Sequence, residues 1–214
     1  VVEAYTLFLS ALMLTGGAMG DRYGRKRLFV MGVAVFTAGS IACGLAPSIT
    51  ALIAFRAVQG IGAAMMVPGS LAIISASFPD DERGKAIGTW SAFTSITLVL
   101  GPLVGGALID HVSWRAIFFV NVPIAAIVLL LAMRHVPESR GGGKRAQDFA
   151  GAALATAALG SLIYGLIESS TRGFAHPLIW GSIAAGIALL AAFVVVESRS
   201  ASPMMPLALF RSPA

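Results

Sequence analysis

Charged residues are scarce in this sequence. Asp, Glu, Lys and Arg make up 12% of its 214 residues, hydrophobic residues make up 57%, and the mean hydropathy is +0.86. Soluble globular domains carry charge on about a quarter of their residues. The composition therefore excludes an ordinary soluble domain.

Cysteine is almost absent as well. The one cysteine, Cys43, lies within an apolar run, and the histidines, His111, His135 and His176, lie far apart at the edges of loops. Counting excludes a disulfide framework and a multi-cysteine metal site, and no metal or other cofactor is expected. The sequence contains no nucleophile–base pair or phosphate-binding loop either, which indicates that the protein is not an enzyme.

Long stretches without a charged residue take up most of the chain. Each is long enough, or nearly so, to cross a hydrocarbon layer of about 30 Å as a helix. The pattern predicts an all-α membrane protein with about seven transmembrane helices. The stretches are Ala4–Gly20, Leu28–Phe55, Ala57–Pro79, Ala86–Ile109, Ala116–Met133, Phe149–Ile167 and Gly173–Val196.

Positive charge is unevenly distributed between the loops. Fifteen Lys and Arg against ten Asp and Glu give a net charge of +5, and twelve of the fifteen lie in alternate loops and the C-terminal tail. The positive-inside rule places those loops in the cytoplasm, and Val1 and the turns near Pro47, Ser113 and Gly173 outside. Because the bias follows alternate loops and not one face of a folded domain, no nucleic-acid partner is expected.

The longest polar stretch divides the predicted helices into five and two. It has the sequence RHVPESRGGGKRAQD, and its three consecutive glycines and Pro137 are typical of a flexible linker. The predicted organisation is a helical bundle over residues 1–133, a cytoplasmic linker over 134–148, two further transmembrane helices over 149–198, and a cytoplasmic or interfacial tail over 199–214.

The charged loop in GAMGDRYGRKRL, residues 17–28, has a more specific residue pattern than a topology anchor requires. Cations alone would hold the orientation, but this loop also has an acid and glycines at fixed spacing. The pattern resembles the signature loop of the major facilitator superfamily, G-x-x-x-D-R-x-G-R-[RK], between that family's second and third helices. The resemblance implies a cytoplasmic gating loop, formed by Gly17, Asp21, Arg22, Gly24, Arg25 and Lys26.

A second match surrounds Arg56. LIAFRAVQGIGAA, residues 52–64, resembles the fourth-helix pattern L-x-x-x-R-x-x-Q-G-x-G-A-A of the same superfamily. An arginine at a helix centre costs about 2.5–3.5 kcal/mol on insertion scales. It either extends its head group to the outer interface or meets a carboxylate in the bundle and tunes its proton affinity. The second interpretation makes Arg56 a proton-coupling residue, with Glu3 as a candidate acid; an interfacial position is the alternative for Glu3.

A third match lies in GTWSAFTSITLVLGPLVGG, residues 88–106. It resembles the antiporter motif of the family's fifth helix, with Thr97 in place of one glycine. The alternative is a generic helix interface with a proline kink, and that packing is itself part of the implied function. The resemblance implies a helix that favours exchange over one-way passage. Its matching residues are Gly88, Gly101, Pro102, Gly105 and Gly106.

The stretch DHVSWRAIFFVNVP, residues 110–123, is similar to the turn that opens helix six in the fourteen-helix drug:proton antiporters. The matching residues are Trp114, Arg115, Asn121 and Pro123. Residues 149–196 resemble the two helices that this branch inserts between its six-helix halves. On this alignment helices 2–6 and the two inserted helices are present, while helix one and the C-terminal half of the same protein are missing.

The resemblance implies a proton-coupled multidrug efflux antiporter of the inner (plasma) membrane, which exports hydrophobic or cationic small molecules by alternating access. Its partners would be the small-molecule substrate, protons and the lipid bilayer. Two alternatives stay open. One is an exporter of a specific metabolite, such as a siderophore or an antibiotic, and the other is a truncated remnant that keeps the fold without transporting.

Overall fold

The structure, a computed structural model, describes residues 2–141 and 149–199, and within these ranges it contains helices and no strand. Seven helical stretches of the described residues are long and apolar enough to cross a membrane, and the short α5 forms one of them together with α6. The predicted all-α membrane fold is confirmed. The helices are α1 (Val2–Tyr23), α2 (Arg25–Gly44), α3 (Ile49–Ser77), α4 (Asp80–His111), α5 (Ala116–Phe119), α6 (Asn121–His135), α7 (Phe149–Arg172) and α8 (Pro177–Arg199).

Local chemistry explains several helix boundaries. The side chain of Ser48 caps α3 by accepting a hydrogen bond from the N–H of Ala51 at 3.2 Å. Helix α4 begins after Pro79 with three carboxylates in its first turn, where they interact favourably with the helix dipole. Helix α6 continues to His135, two residues into the predicted linker, and ends before Pro137 because the residue preceding a proline disfavours helical geometry.

The first three helices form the centre of the structure. Helix α3 packs along both α1 and α2, α6 lies against α2, and the hairpin of α7 and α8 contacts the bundle through α1. Near the turn between α2 and α3, Cys43, Ala46 and Leu52 form a small buried core against which Phe118 packs. Helix α3 therefore connects the elements that carry the predicted site residues.

Two glycines bring the backbones of α2 and α3 into contact. A Cβ atom on Gly62 would lie 2.5 Å from the backbone nitrogen of Phe36, and one on Gly32 would lie 2.8 Å from the carbonyl oxygen of Gly62. A real side chain does not fit at those distances. In lipid, where burial of apolar surface does not drive helix association, such close packing supplies the attraction.

Helix α4 stands apart from this bundle. None of its 32 residues is buried, and its contacts are mainly with α3 and α5, its neighbours along the chain. The side chains of Phe93 and Leu98 are 67% and 79% exposed. The described residues thus leave a long apolar surface of α4 uncovered.

Candidate functional site

Asp21 and Arg25 form an ion pair where α1 ends and α2 begins. The Asp21 Oδ1 atom lies 2.8 Å from both Nε and Nη2 of Arg25. The Nη1 group of Arg25 donates to the carbonyl oxygen of Ala72 in α3, at 3.4 Å. The side chains of Asp21 and Arg25 are 53% and 20% exposed. This pair therefore links α1, α2 and α3 at one end of the bundle.

The turn between α1 and α2 requires glycine at position 24. Gly24 has a φ of +117°, and a Cβ atom there would lie 2.6 Å from Oε1 of Glu138. The Glu138 carboxylate accepts hydrogen bonds from the backbone N–H groups of Lys26, at 3.1 Å, and Arg27, at 3.2 Å. Sequence analysis missed Glu138, because 112 positions separate it from Lys26 and no local pattern connects the two.

The other predicted gating-loop residues lie close by. The Nζ atom of Lys26 donates to a backbone carbonyl oxygen of α6 at 3.0 Å. The Arg22 guanidinium carbon lies 5.5 Å from the centroid of the Tyr23 ring. A Cβ atom on Gly17 would be 3.5 Å from Pro68, an ordinary contact distance. The structure thus brings the six residues together on the adjoining ends of α1 and α2, and their gating role stays a prediction.

A polar cluster joins α2, α3 and α6 within the apolar part of the bundle. It consists of Ser40, Arg56, Gln59 and Asn121. Gln59 Oε1 accepts from Nη1 of Arg56 at 2.9 Å, and the Gln59 amide donates to the hydroxyl of Ser40. Asn121 donates to the same hydroxyl at 3.1 Å. Ser40 and Gln59 are 0% and 1% exposed. The hydrogen bonds satisfy polar groups that would be costly to leave unpaired in this environment.

Arg56 has neutral partners within the described ranges. Its guanidinium carbon lies 4.4 Å from the centroid of the Tyr5 ring, a cation–π distance. Among residues 2–141 and 149–199 it forms no ion pair. Glu3 lies in the first turn of α1 with an exposed side chain, and no described residue forms an ion pair with it. A carboxylate partner for Arg56 therefore stays a prediction.

The predicted helix-six turn connects two loops. Nη2 of Arg115 donates to the carbonyl oxygen of Ala46, in the turn between α2 and α3, at 3.2 Å. The Arg115 guanidinium carbon also lies 4.5 Å from the Trp114 ring centroid. Pro123 lies in the first turn of α6, where its missing N–H removes no helical hydrogen bond. Asn121 opens the same helix and reaches the polar cluster.

The glycines of the antiporter-like stretch face open space in the described part of the chain. All four lie in α4, and the proline lies inside the same helix, which continues to His111. A Cβ atom at any of the four glycines would meet no described atom within 4 Å. Their role in exchange stays a prediction. The residues are Gly88, Gly101, Pro102, Gly105 and Gly106.

Fold and site together define an all-helical, multi-pass membrane protein with a buried polar cluster and a charged loop at an end of the bundle. No group of three or more His, Cys, Asp or Glu among the described residues is placed to hold a metal ion. The chain belongs to the Major Facilitator Superfamily, whose sequence pattern matches residues 1–210. That membership confirms the resemblance found in the motifs.

Its relatives include bacterial exporters. The chain is 44% identical to the multidrug resistance protein Stp of Mycobacterium tuberculosis, strain CDC 1551, over 99% of its own length and 40% of that protein. It is 36% identical to the tetracenomycin C resistance and export protein of Streptomyces glaucescens, again over 99% of this chain and 40% of the relative. The chain thus spans about 40% of the length of these curated relatives.

A similar solved structure provides a further comparison. It is the crystal structure of a bacterial homologue of the human lysosomal transporter Spinster, in an inward-facing and unoccupied conformation. The similarity covers 94% of this chain and 56% of that one, with 22% sequence identity and a TM-score of 0.43.

Proposed function

We propose that this chain is part of an exporter in the inner (plasma) membrane that exchanges hydrophobic or cationic small molecules for protons by alternating access. Support comes from family membership and from relatives, matched over 99% of this chain, that are named for multidrug resistance and for antibiotic export. The observation that carries the mechanism is the position of Arg56, a cation held inside the bundle by neutral groups.

Arg56 suits proton coupling because its described neighbours leave its charge uncompensated. An amide oxygen and an aromatic ring orient the guanidinium without neutralising it. A carboxylate that approaches it is stabilised in the ionised form and releases its proton, and it takes up a proton again when the two separate. Glu3, in the first turn of the helix that also carries Tyr5, is the candidate acid within the described ranges. A carboxylate outside the described ranges is the other candidate.

The Asp21–Arg25 pair is the proposed cytoplasmic gate. Arg25 contacts both Asp21, at the end of α1, and Ala72, in α3, so separating the ion pair would remove one polar contact that holds these helix ends together. A partly exposed ion pair contributes about 0–1 kcal/mol. An interaction of that size can break and re-form in every transport cycle, which a gate requires.

A second candidate is an exporter of one specific metabolite. The observation in its favour is the relative from Streptomyces glaucescens, whose name ties it to a single compound, tetracenomycin C. In that case the same proton-coupling machinery would serve one substrate.

Energised inverted membrane vesicles test both candidates. The vesicles contain the protein expressed from its complete reading frame, and a fluorescent pH indicator reports proton release when a compound is added. We expect release with several lipophilic cations for the parent protein and none for Arg56→Gln. The matched control is Arg172→Gln, at the exposed end of α7, which should behave like the parent.

Each other outcome has a distinct meaning. Proton release with one compound only would favour the specific exporter. Compound accumulation without proton release, or full activity of Arg56→Gln, would overturn the proposed coupling.

A further inference from the structure

Helix α2 receives its N-terminal cap from a distant part of the chain. The first N–H groups of a helix have no partner within it and are usually satisfied by the side chain of the capping residue. In α2 the capping residue is Gly24, which has no side chain. The Glu138 carboxylate takes that place and accepts from the N–H groups of Lys26, at 3.1 Å, and Arg27, at 3.2 Å.

Backbone hydrogen bonds hold the neighbours of Glu138 against the same loop. The N–H of Arg25 donates to the carbonyl oxygen of Ser139 at 2.9 Å. The N–H of Gly141 donates to the carbonyl oxygen of Asp21, also at 2.9 Å. Residues 138–141 therefore follow the gating loop from the start of α2 back to Asp21.

Gly24 and Glu138 depend on each other. The positive φ of Gly24, +117°, turns the chain from α1 into α2, and a Cβ atom at this position would lie 2.6 Å from Oε1 and 2.9 Å from Oε2 of Glu138. Any side chain at position 24 would displace the carboxylate from the two amides. The missing side chain thus gives the carboxylate its access to α2.

We propose that Glu138 is a positioning residue for the gating loop. Its carboxylate lies over Gly24 and caps α2, and it thereby holds the end of α6 and the start of the linker against the Asp21–Arg25 pair. Residues 136–141 and the loop then move as one body. The pair keeps its geometry only while Glu138 caps α2. The consequence for transport rests on the proposed function, whereas the consequence for structure does not.

Distances between spin labels test the structural consequence. Labels replace Tyr23 and Arg140, both exposed, in the protein expressed from its complete reading frame with its own cysteines replaced by serine. We expect one narrow distance population for the parent and a broad one for Glu138→Ala. Glu138→Gln, which keeps one acceptor oxygen, should lie between them. The control is Glu82→Ala, which removes another exposed glutamate, in the first turn of α4, and should leave the population narrow.

A second variant tests whether Gly24 acts through Glu138. Gly24→Ala should broaden the distance population in the parent background because the new methyl group displaces the carboxylate. In the Glu138→Ala background the same change should add less broadening, because only the strain of a side chain at a φ of +117° remains. Independent, additive effects, or a narrow population in Glu138→Ala, would overturn the proposal.

Efflux is the measurement that a purely structural cap would leave unchanged. Efflux should fall about five- to tenfold in Glu138→Ala at unchanged abundance, because the Asp21–Arg25 pair loses its geometry, and recover partly in Glu138→Gln. Unchanged efflux with a broadened distance population would also overturn the assignment. If the parent protein moves no compound, the proposed function fails, and the distances alone decide the role of Glu138.

Discussion

Arg56 places a full charge in a helix that crosses the hydrocarbon layer, and its neighbours determine the free-energy cost of that charge. A guanidinium group cannot become neutral, so it needs polar or aromatic partners. The Gln59 oxygen lies 2.9 Å from one of its nitrogens and the Tyr5 ring centroid 4.4 Å from its carbon. Both contacts are made with side chains of the bundle, on α3 and α1.

Gln59→Leu should destabilise the protein through Arg56. Leucine is close to glutamine in size but leaves the guanidinium without its acceptor and removes one of the two donors to the Ser40 hydroxyl. We expect the free energy of unfolding to fall by about 1–2 kcal/mol, because a charged donor loses its partner. The apparent Tm of purified protein in detergent should fall by roughly 3–6 °C.

Ser70→Ala is the control for this comparison. The Ser70 hydroxyl donates only to a carbonyl oxygen of its own helix. Equal Tm shifts for the two variants would contradict a particular role for the polar cluster.

The Asp21–Arg25 pair should affect transport more than stability. With Asp21 53% exposed, the pair resembles the surface ion pairs that contribute about 0–1 kcal/mol. We therefore expect Asp21→Asn to show normal abundance but efflux lowered by about fivefold, the population shift that 1 kcal/mol produces. Asp110→Asn, at the exposed C-terminal end of α4, serves as the control in the same vesicle assay. Parent-level export by Asp21→Asn would mean that the loop acts only as a topology anchor and not as a gate.

At the scale of helices, two kinds of surface coexist in this chain. Helices α1, α2 and α3 meet through glycines, with backbones close enough to exclude a side chain. Helix α4 presents glycines and large apolar side chains to open space within the described residues. Small residues in lipid-spanning helices commonly mark packing surfaces, so the two should respond differently to added bulk.

Gly62→Ala should loosen the contact between α2 and α3. The added methyl group would lie 2.5 Å from a backbone nitrogen, which cannot move aside as a flexible side chain can. Overpacking of this kind costs about 1–3 kcal/mol. We expect a lower Tm in detergent, with Gly84→Ala as the control because a Cβ atom there meets no described atom within 4 Å. A Tm for Gly62→Ala equal to that of the parent would mean that the two helices separate without cost.

Gly105→Leu should abolish efflux and leave membrane insertion intact. Leucine raises the hydropathy of α4, so insertion should not suffer. Its bulk should nevertheless block the close approach of another helix beside Pro102. Efflux and abundance measured in the same vesicles separate the two effects. Normal efflux would show that this face of α4 is turned to lipid.

At the scale of the whole molecule, long-range contacts show which loops share a side. The contact of Glu138 with Lys26 places the end of α6 beside the turn between α1 and α2. The contact of Arg115 with Ala46 places the loop after α4 beside the turn between α2 and α3. This alternation agrees with the side assignment from the positive-inside rule, which in addition identifies the first side as cytoplasmic.

Cysteine labelling of whole cells checks this orientation. A membrane-impermeant maleimide should react with a cysteine at Ser48 in intact cells and with one at Asp81 only after permeabilisation. Both positions are exposed, and the native Cys43 is buried. The opposite labelling pattern would invert the topology and with it the direction assigned to the gate.

The sequence by itself determined the number of membrane spans, the family and the distribution of charge between the loops, because each depends on local properties. A charge-free stretch of sufficient length forms a spanning helix whatever it packs against. The spacing of Gly17, Asp21 and Arg25 likewise belongs to one short segment, and the structure pairs the last two across the turn at Gly24.

Tertiary structure alone decided the partners of those residues. Glu138 meets α2 across 112 positions, and Asn121 meets Ser40 across 81, so neither contact has a local signature. The neutral surroundings of Arg56 and the uncovered face of α4 also follow from how whole helices pack. A hydrophobic pattern determines which segments enter the membrane. In lipid, burial of apolar side chains does not favour one helix neighbour over another. Helix partners are selected by close backbone contacts and hydrogen bonds, and these form only in the folded chain.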